Sequence, residues 1–466
     1  MWCGAAVLAV SGAGLAAAVP ACAASSLKMI YQANDFPSTT QLLPPVAVSY
    51  GQVISGSQSQ GLDGVPQDDG TLFLLTPGPN GNWTKTTLHT FNPGLRPADG
   101  AAPDQDLLVD KSGNVWGTTS ASGANGTGTL FELVKPAAKG GAWSFRTVLA
   151  LPVFQTSNGG SNALAFDSKG NLYGVSTTGC RDPQGCGDFW QVTAKTLKGG
   201  PTPVRLLGTV PFSLGATPEG LAIDTAGNLF GTTYGGGSTA ATQYGTVWEL
   251  SPSGAGAYAF NIIHSFCSIR DAYNYCVDGE NPHGGVTYSN GALYGTTVFD
   301  GGAYTITNPA SGQPQLEGSN GLTYAMTPPA PGAAWGFTPL HALHDYVAWD
   351  TYGPDNLVHN PQGAPVVTTT GQLLVATASG GALHAQDNVI HGAIISVSAT
   401  SGAETILNNH FAAEYKNLRS GPALDLNNAR QLHRGAQNRV FGIGVRTFDA
   451  TCTCEHYWQN LYQVTQ

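Results

Sequence analysis

Short apolar runs recur along the chain, each bounded by Gly, Asn, Asp or Ser. "LAIDTAGNLFGTT" begins at Leu221 as an apolar run, a polar turn and a second apolar run. Past a Gly-rich loop comes "GTVWEL" at Gly245, and then "YAFNIIHSF" at Tyr258. The runs are too short and too often broken by glycine for helices, and aromatic and β-branched residues fill them, so they predict strands. "NLFG" and "TVWEL" are apolar on both parities, which predicts strands covered on both faces.

The same phrase returns about every 60 residues. "GNVWGTT" begins at Gly113, "GNLYGVS" at Gly170, "GNLFGTT" at Gly227 and "GALYGTT" at Gly291. Weaker copies are "GQVISGS" at Gly51, "GQLLVAT" at Gly371 and "NRVFGIG" at Asn438. Each copy has an apolar run before it ("LLVD" at Leu107, "LAFD" at Leu164) and two after it ("GTLFEL" at Gly128, "WSFRTVLAL" at Trp143). Each unit therefore predicts four strands. In the "DxxGN" turn, Asp and Asn should satisfy local backbone and Gly should take a positive φ. The Gly after the aromatic, such as Gly231 or Gly295, should leave room for close backbone approach.

So small a sheet cannot bury both faces alone, but sheets in a ring cover one another. The seventh unit stops at "NLYQVTQ", its third strand, while "LKMIYQANDF" from Leu27 reads as a fourth. The expectation is an all-β, seven-bladed β-propeller over residues 26–466, closed by pairing of Leu27–Ala33 with Leu461–Val464. Six or eight blades would follow if a weak unit is miscounted.

"DGENPHGGVTYSNGALYGTTVFDGG" from Asp278 and "LAIDTAGNLFGTTYGGG" from Leu221 resemble secreted bacterial proteins with GloVer-type tandem repeats, a choice-of-anchor repeat family. The match is specific for units two to five. The resemblance implies export and a propeller-like fold, and it carries no catalytic residues. More loosely, "DxxGNLY" is similar to the strand turns of propellers that include gluconolactonase-like enzymes.

Only 10% of the 466 residues are charged and the net charge is −10. With no basic stripe, nucleic acid is not an expected partner. Residues 1–25 are apolar and small-residue-rich and predict a secretory signal, with "ACA" before Ala24 as the cleavage site, although no Lys or Arg precedes Lys28. Cys22 offers a lipoprotein alternative. No later segment predicts a transmembrane span, so the expected location is secreted or periplasmic and the expected state a monomer. Of eight cysteines, six fall in close pairs, Cys180/Cys186, Cys267/Cys276 and Cys452/Cys454, which in an exported chain suggest disulfides. No Cys-x-x-Cys occurs, so no metal site is predicted, and the only ion considered is Ca²⁺.

His89, His264 and His341 share one slot in the fourth strand and read as structural. Function on repeat scaffolds concentrates in loops that break the repeat. The longest are Cys267–His283, Phe299–Asn320 and His344–His359. Their candidate binding residues are Asp271, Tyr273, Tyr275, Asp278, Glu280, His283, His344, Trp349, Asp350 and Tyr352. The aromatics suit sugar rings or a surface-protein partner. The carboxylates and His suit an alternative, a hydrolase or lyase acting on a polysaccharide or lactone. No nucleophile–base motif is visible, so the balance favours a binding scaffold over an enzyme.

Overall fold

The protein is described here from a computed structural model over residues 26–32, 42–58, 69–92, 99–104, 107–153, 163–176, 187–201, 203–210, 215–237, 244–254, 256–307, 314–330, 333–343, 358–380, 393–408, 424–425, 433–434, 439–446 and 458–465. It is an all-β propeller of antiparallel, four-stranded blades. Strands are named A to D within each blade, in chain order. The first blade is Val46–Ala47, Val53–Ser57, Thr71–Pro77 and Trp83–Thr90. The second has an A strand in two pieces, Ala101–Pro103 and Leu108–Val109, then Val115–Ala121, Thr129–Val134 and Ser144–Ala150. The third is Ala163–Phe166, Leu172–Ser176, Asp188–Val192 and Arg205–Thr209. The fourth is Ala216–Ile223, Leu229–Gly235, Thr246–Gly254 and Ala257–Ser265. The fifth is Glu280–Ser289, Ala292–Phe299, Leu322–Thr327 and Gly336–Ala342. The sixth is Val358–Val367, Gln372–Gly380, Ala393–Ser398 and Glu404–Asn408.

Six blades, rather than seven, are thus each complete in consecutive chain. The seventh repeat unit is not self-contained. Its strands Arg439–Arg446 and Trp458–Thr465 share a sheet with Ser26–Gln32 from the other end of the chain, and among the described residues Leu424–Asp425 and His433–Arg434 pair on the other side of Arg439–Arg446. Leu27 pairs with Val464 and Tyr31 with Leu461, as the missing fourth strand required. This terminal sheet packs on the first blade through Ile30, Leu42, Val53, Phe73 and Leu461.

The core is a series of layers between blades. Phe91, Leu107, Val115 and Phe131 join the first blade to the second, and Leu151, Leu164, Trp190 and Leu197 pack between the second and third. Histidine adds a side-chain bridge between blades. His89 stacks on Phe145 of the next blade with ring centroids 3.5 Å apart, and His264 stacks on Phe337 at 4.2 Å. His341 lies 2.5 Å from Glu404 of the sixth blade. The recurring histidines therefore serve the joints.

Glycine after the aromatic does something different from what its sequence position suggested. Gly117, Gly174, Gly231 and Gly295 pair across to Phe131, Trp190, Trp248 and Tyr324. In each case a Cβ on the glycine would land in the partner's ring. The missing side chain is chiefly a seat for an aromatic on strand C. At Gly231 backbone oxygens, those of Gly220 and Glu219, also come within 2.8 Å of where a Cβ would sit.

Candidate functional site

The A–B turn shows how the repeat motif builds one end of the blades. Asp110 Oδ1 accepts the backbone N–H groups of Ser112 and Asn114 at 2.8 and 2.9 Å. Its Oδ2 accepts Asn114 Nδ2 and Trp116 Nε1 at 3.1 and 3.0 Å. Asn114 Oδ1 in turn accepts the N–H of Lys135, at the exit of strand C. Asp167 repeats the scheme with Lys169, Asn171 and the Tyr173 hydroxyl. Gly113, Gly170 and Gly227 have φ between 82° and 91°, which the turn requires and glycine supplies without strain.

The other end carries the B–C loops and the D–A connections. Between the fourth and fifth blades, residues 266–279 form a loop tied by the Cys267–Cys276 disulfide. Asp271 organises its tip. One oxygen accepts the N–H groups of Tyr273 and Tyr275, and the other accepts that of Ala303 at 2.9 Å. Desolvation pushes the Asp271 carboxyl up, but these backbone donors outweigh it and hold the group below its ordinary value. Tyr275 lies against Gly318. Ala303–Thr307 and Pro314–Gly318 pair as a hairpin, so Asp271 and Tyr275 together clasp the B–C insertion of the fifth blade.

Asp278 closes the base of the same loop. It is 1% exposed and accepts Ser268 N, Ser268 Oγ and Ile269 N, with His264 Nε2 at 3.1 Å. Burial alone would raise its pKa; hydrogen bonds from His264 and Ser268 and the charge on His264 overcome that and depress it. Glu280 is the opposite case. Burial, and then the nearby Asp300 charge, push its carboxyl up, with Arg270 only partly opposing.

The innermost strands hold a second group of chemistry-bearing residues. "Pro-x-Gly" recurs there as Pro218-Glu219-Gly220, Pro282-His283-Gly284 and Pro361-Gln362-Gly363. Each sits where the A-to-B register slips. Such bulges bend a strand and re-aim a side chain. The glycines let neighbouring A strands touch through backbone; a Cβ on Gly220 would sit 2.5 Å from Gly285 Cα. Glu219 Oε2 thereby accepts the N–H of Gly284 at 2.6 Å and stands 3.6 Å from His283 Nδ1. Tyr234 meets the His283 ring edge-on at 5.9 Å. Its hydroxyl is pushed up in pKa by burial first and then by the Glu219 charge. A carboxylate, an imidazole and a phenol from adjacent blades thus converge.

A model of the Gloeobacter/Verrucomicrobia repeat matches residues 48–309, more than half of the chain, and takes in these turns, glycine seats and most of the bulges. The chain belongs to that family. Its propeller arrangement is the one that the quoted repeat motifs implied. No curated protein matches the chain. Among solved structures it is similar to a luciferin-regenerating enzyme, at 10% identity and a TM-score of 0.37 over 95% of each chain. It is also similar to the N-terminal domain of Nup159, at 10% identity and 0.39 over 95% of this chain and 96% of that one. A third is a subtype N11 neuraminidase-like protein of A/flat-faced bat/Peru/033/2010, at 10% and 0.38 over 78% and 86%. At these levels the likenesses carry no argument about function.

Within this Gloeobacter/Verrucomicrobia repeat chain, the residues expected from sequence divide clearly. Asp271, Tyr275 and Asp278 are spent on holding the loop. Tyr273 stands at its tip, 64% exposed. His283 belongs to the inner-strand group with Glu219 and Tyr234, both of which lie outside the repeat-breaking loops. The repeated Pro-x-Gly, invariant around a changing middle residue, was the available signal. Cys267 and Cys276 are disulfide-bonded as expected. Their sulfurs lie within 4.8 Å of a Glu280 oxygen, but a disulfide offers no thiolate to a metal. His344, Trp349, Asp350, Tyr352, Cys180, Cys186, Cys452, Cys454 and residues 1–25 lie outside the described residues. Among the described residues no helix is long and apolar enough to cross a membrane.

Proposed function

We propose that this is an exported binding propeller that captures a polysaccharide or a carbohydrate-bearing surface partner at the B–C and D–A end of its fourth and fifth blades. One observation carries the reading. Seven large apolar side chains are exposed among the described residues, and four of them, Tyr234, Ile269, Tyr273 and Phe299, stand at this one end of two adjacent blades. An exposed aromatic on a braced loop, Tyr273, beside two on strand ends, Tyr234 and Phe299, is what stacking on sugar faces requires, because a rigid platform loses little entropy on binding. The disulfide and the Asp271 and Asp278 networks supply the bracing. The disulfide also supports export to an oxidising compartment. In the same reading the protein is a monomer, and the terminal sheet is a seventh blade that closes the ring.

A hydrolase or lyase is the second reading, and it rests on Glu219, His283 and Tyr234. A carboxylate and an imidazole on facing strands can pass a proton. The bonds now made by Glu219 fix backbone, however, which favours positioning over turnover.

The test is a panel of soluble neutral oligosaccharides, titrated calorimetrically with and without Ca²⁺ and followed for product release. Binding without turnover, lost in Tyr273→Ala/Tyr234→Ala while the melting temperature holds, is the expected result. Turnover abolished by Glu219→Gln would favour the enzyme, and binding indifferent to the tyrosines would place the ligand elsewhere.

A further inference from the structure

The opposite end of the propeller carries a cavity of about 710 Å³ between the second and third blades, reaching the inner strand of the fourth. Its size suits a small organic ligand. Its wall combines apolar inner-strand residues, among them Leu164, Phe166 and Ile223, with Lys111, Lys169, Lys198 and Arg146. Four of the chain's 19 Lys and Arg residues therefore line one cavity in a protein of net charge −10.

The acids in the same wall are committed. Asp110 and Asp167 have both oxygens filled by their own turns, so neither offers a free acceptor to the cavity, and against their two formal charges the three lysines leave the wall positive by one. Glu132 is paired with Arg146 through its Nε at 3.0 Å and a second guanidinium nitrogen. Arg146 also reaches the carbonyl of Leu197, at 3.4 Å, in the short helix Ala194–Leu197 of the third blade. The guanidinium is thus a fixed strut across the cavity wall. The three lysines differ. They are exposed, and the ion pairs among the described residues include none of them. Lys111 and Lys169 occupy the free positions of two adjacent "DxxGN" turns, "DKSGN" and "DSKGN", where the turn itself asks for no particular side chain. The third copy, "DTAGN", has none.

We infer that this cavity is a binding site for an amphiphilic organic anion, with an apolar body on the inner-strand floor and a carboxylate, sulfonate or phosphate ester held by Lys111, Lys169 and Lys198. An apolar floor favours any flat or aliphatic body; mobile ammonium groups at its edge select the charge. The site is independent of the aromatic loop surface, at the other end of the blades.

The test uses the full chain and two fluorescent probes with one skeleton, anilinonaphthalene sulfonate and the uncharged phenylnaphthylamine. The natural sequence should bind the sulfonate about tenfold more tightly than the neutral probe. Raising the salt from about 0.01 M to 0.15 M shortens the screening length from about 30 Å to 8 Å and should weaken only the sulfonate. Lys111→Gln/Lys169→Gln should lose the preference yet keep the neutral probe, which also reports that the cavity is folded. Lys111→Arg/Lys169→Arg should retain the preference. Equal affinity for both probes in the natural sequence, or a preference that survives the Gln variant, would overturn the inference.

Discussion

Replacing Gly174 with Ala is expected to destabilise the protein, although glycine in a strand is ordinarily the worse residue. Gly174 has no positive φ, so its backbone suits alanine, and the change alone would contribute about 0.5–1 kcal/mol of stability. The cross-strand partner reverses the sign. Trp190 is fully buried, its Nε1 donates to Ser176 Oγ at 2.9 Å, and three of its ring atoms lie within 2.7 Å of where the new methyl would be. Overpacking of this kind costs about 1–3 kcal/mol, and expelling the ring from its layer about 3–5. The net expectation is a loss of roughly 2–4 kcal/mol, read as a lower urea midpoint. Gly208→Ala is the control, because nothing lies within 4 Å of its Cβ position, and it should leave the midpoint unchanged or raise it slightly. Trp190→Leu in the Gly174→Ala background should recover part of the loss, with a coupling of about 1 kcal/mol or more. A Gly174→Ala protein as stable as the natural one, or a cycle with no coupling, would refute the seat.

Three further expectations follow from the loop and the termini. Asp278 is depressed below its ordinary value near 3.8, so its contribution is present above that pH and lost as pH falls through the lower, folded value; in melting temperature against pH, Asp278→Asn should lie below the natural protein at pH 7 and approach it in acid. Glu280 is raised above 4.5, so its stabilising contribution exists below that value and disappears as pH rises through the folded one. Glu280→Gln should therefore melt higher at pH 7 and no differently at pH 4, and a lower melting temperature at pH 7 would show the charge to be favourable. Removing Ser26–Gln32 exposes the edge of Trp458–Thr465 and strips Ile30 from its layer. A large drop in melting temperature and increased aggregation are expected, and an unchanged melt would mean that the strand contributes nothing to the sheet.

Strands and turns were legible because each is a local solution repeated several times. "DxxGN" carries its own hydrogen bonds, and the short strand A to strand D order follows from turn spacing alone. Pairing of the two termini was legible for the same reason, since a unit lacking a strand and a strand lacking a unit both stand out. What the sequence hid is non-local. Nothing near Gly174 announces that its emptiness belongs to Trp190, 16 positions on. Asp271 looks like a ligand until Ala303 supplies its third donor. Glu219 looks like a turn acid until two bulges bring it to His283. The seventh unit draws a strand from the other end of the chain, Ser26–Gln32, so counting phrases counted more self-contained blades than the six that are complete in consecutive chain.

The claim that the aromatic loop end is the working surface is tested most directly by hydrogen–deuterium exchange on the natural protein, free and saturated with the tightest oligosaccharide of the panel. Binding at Tyr234, Tyr273 and Phe299 predicts slowed exchange in peptides covering residues 234–245, 266–283 and 299–305, with the A–B turns at 110–114 and 167–170 unchanged. Protection at those turns instead, with the loop peptides exchanging at their free rate, would contradict the account.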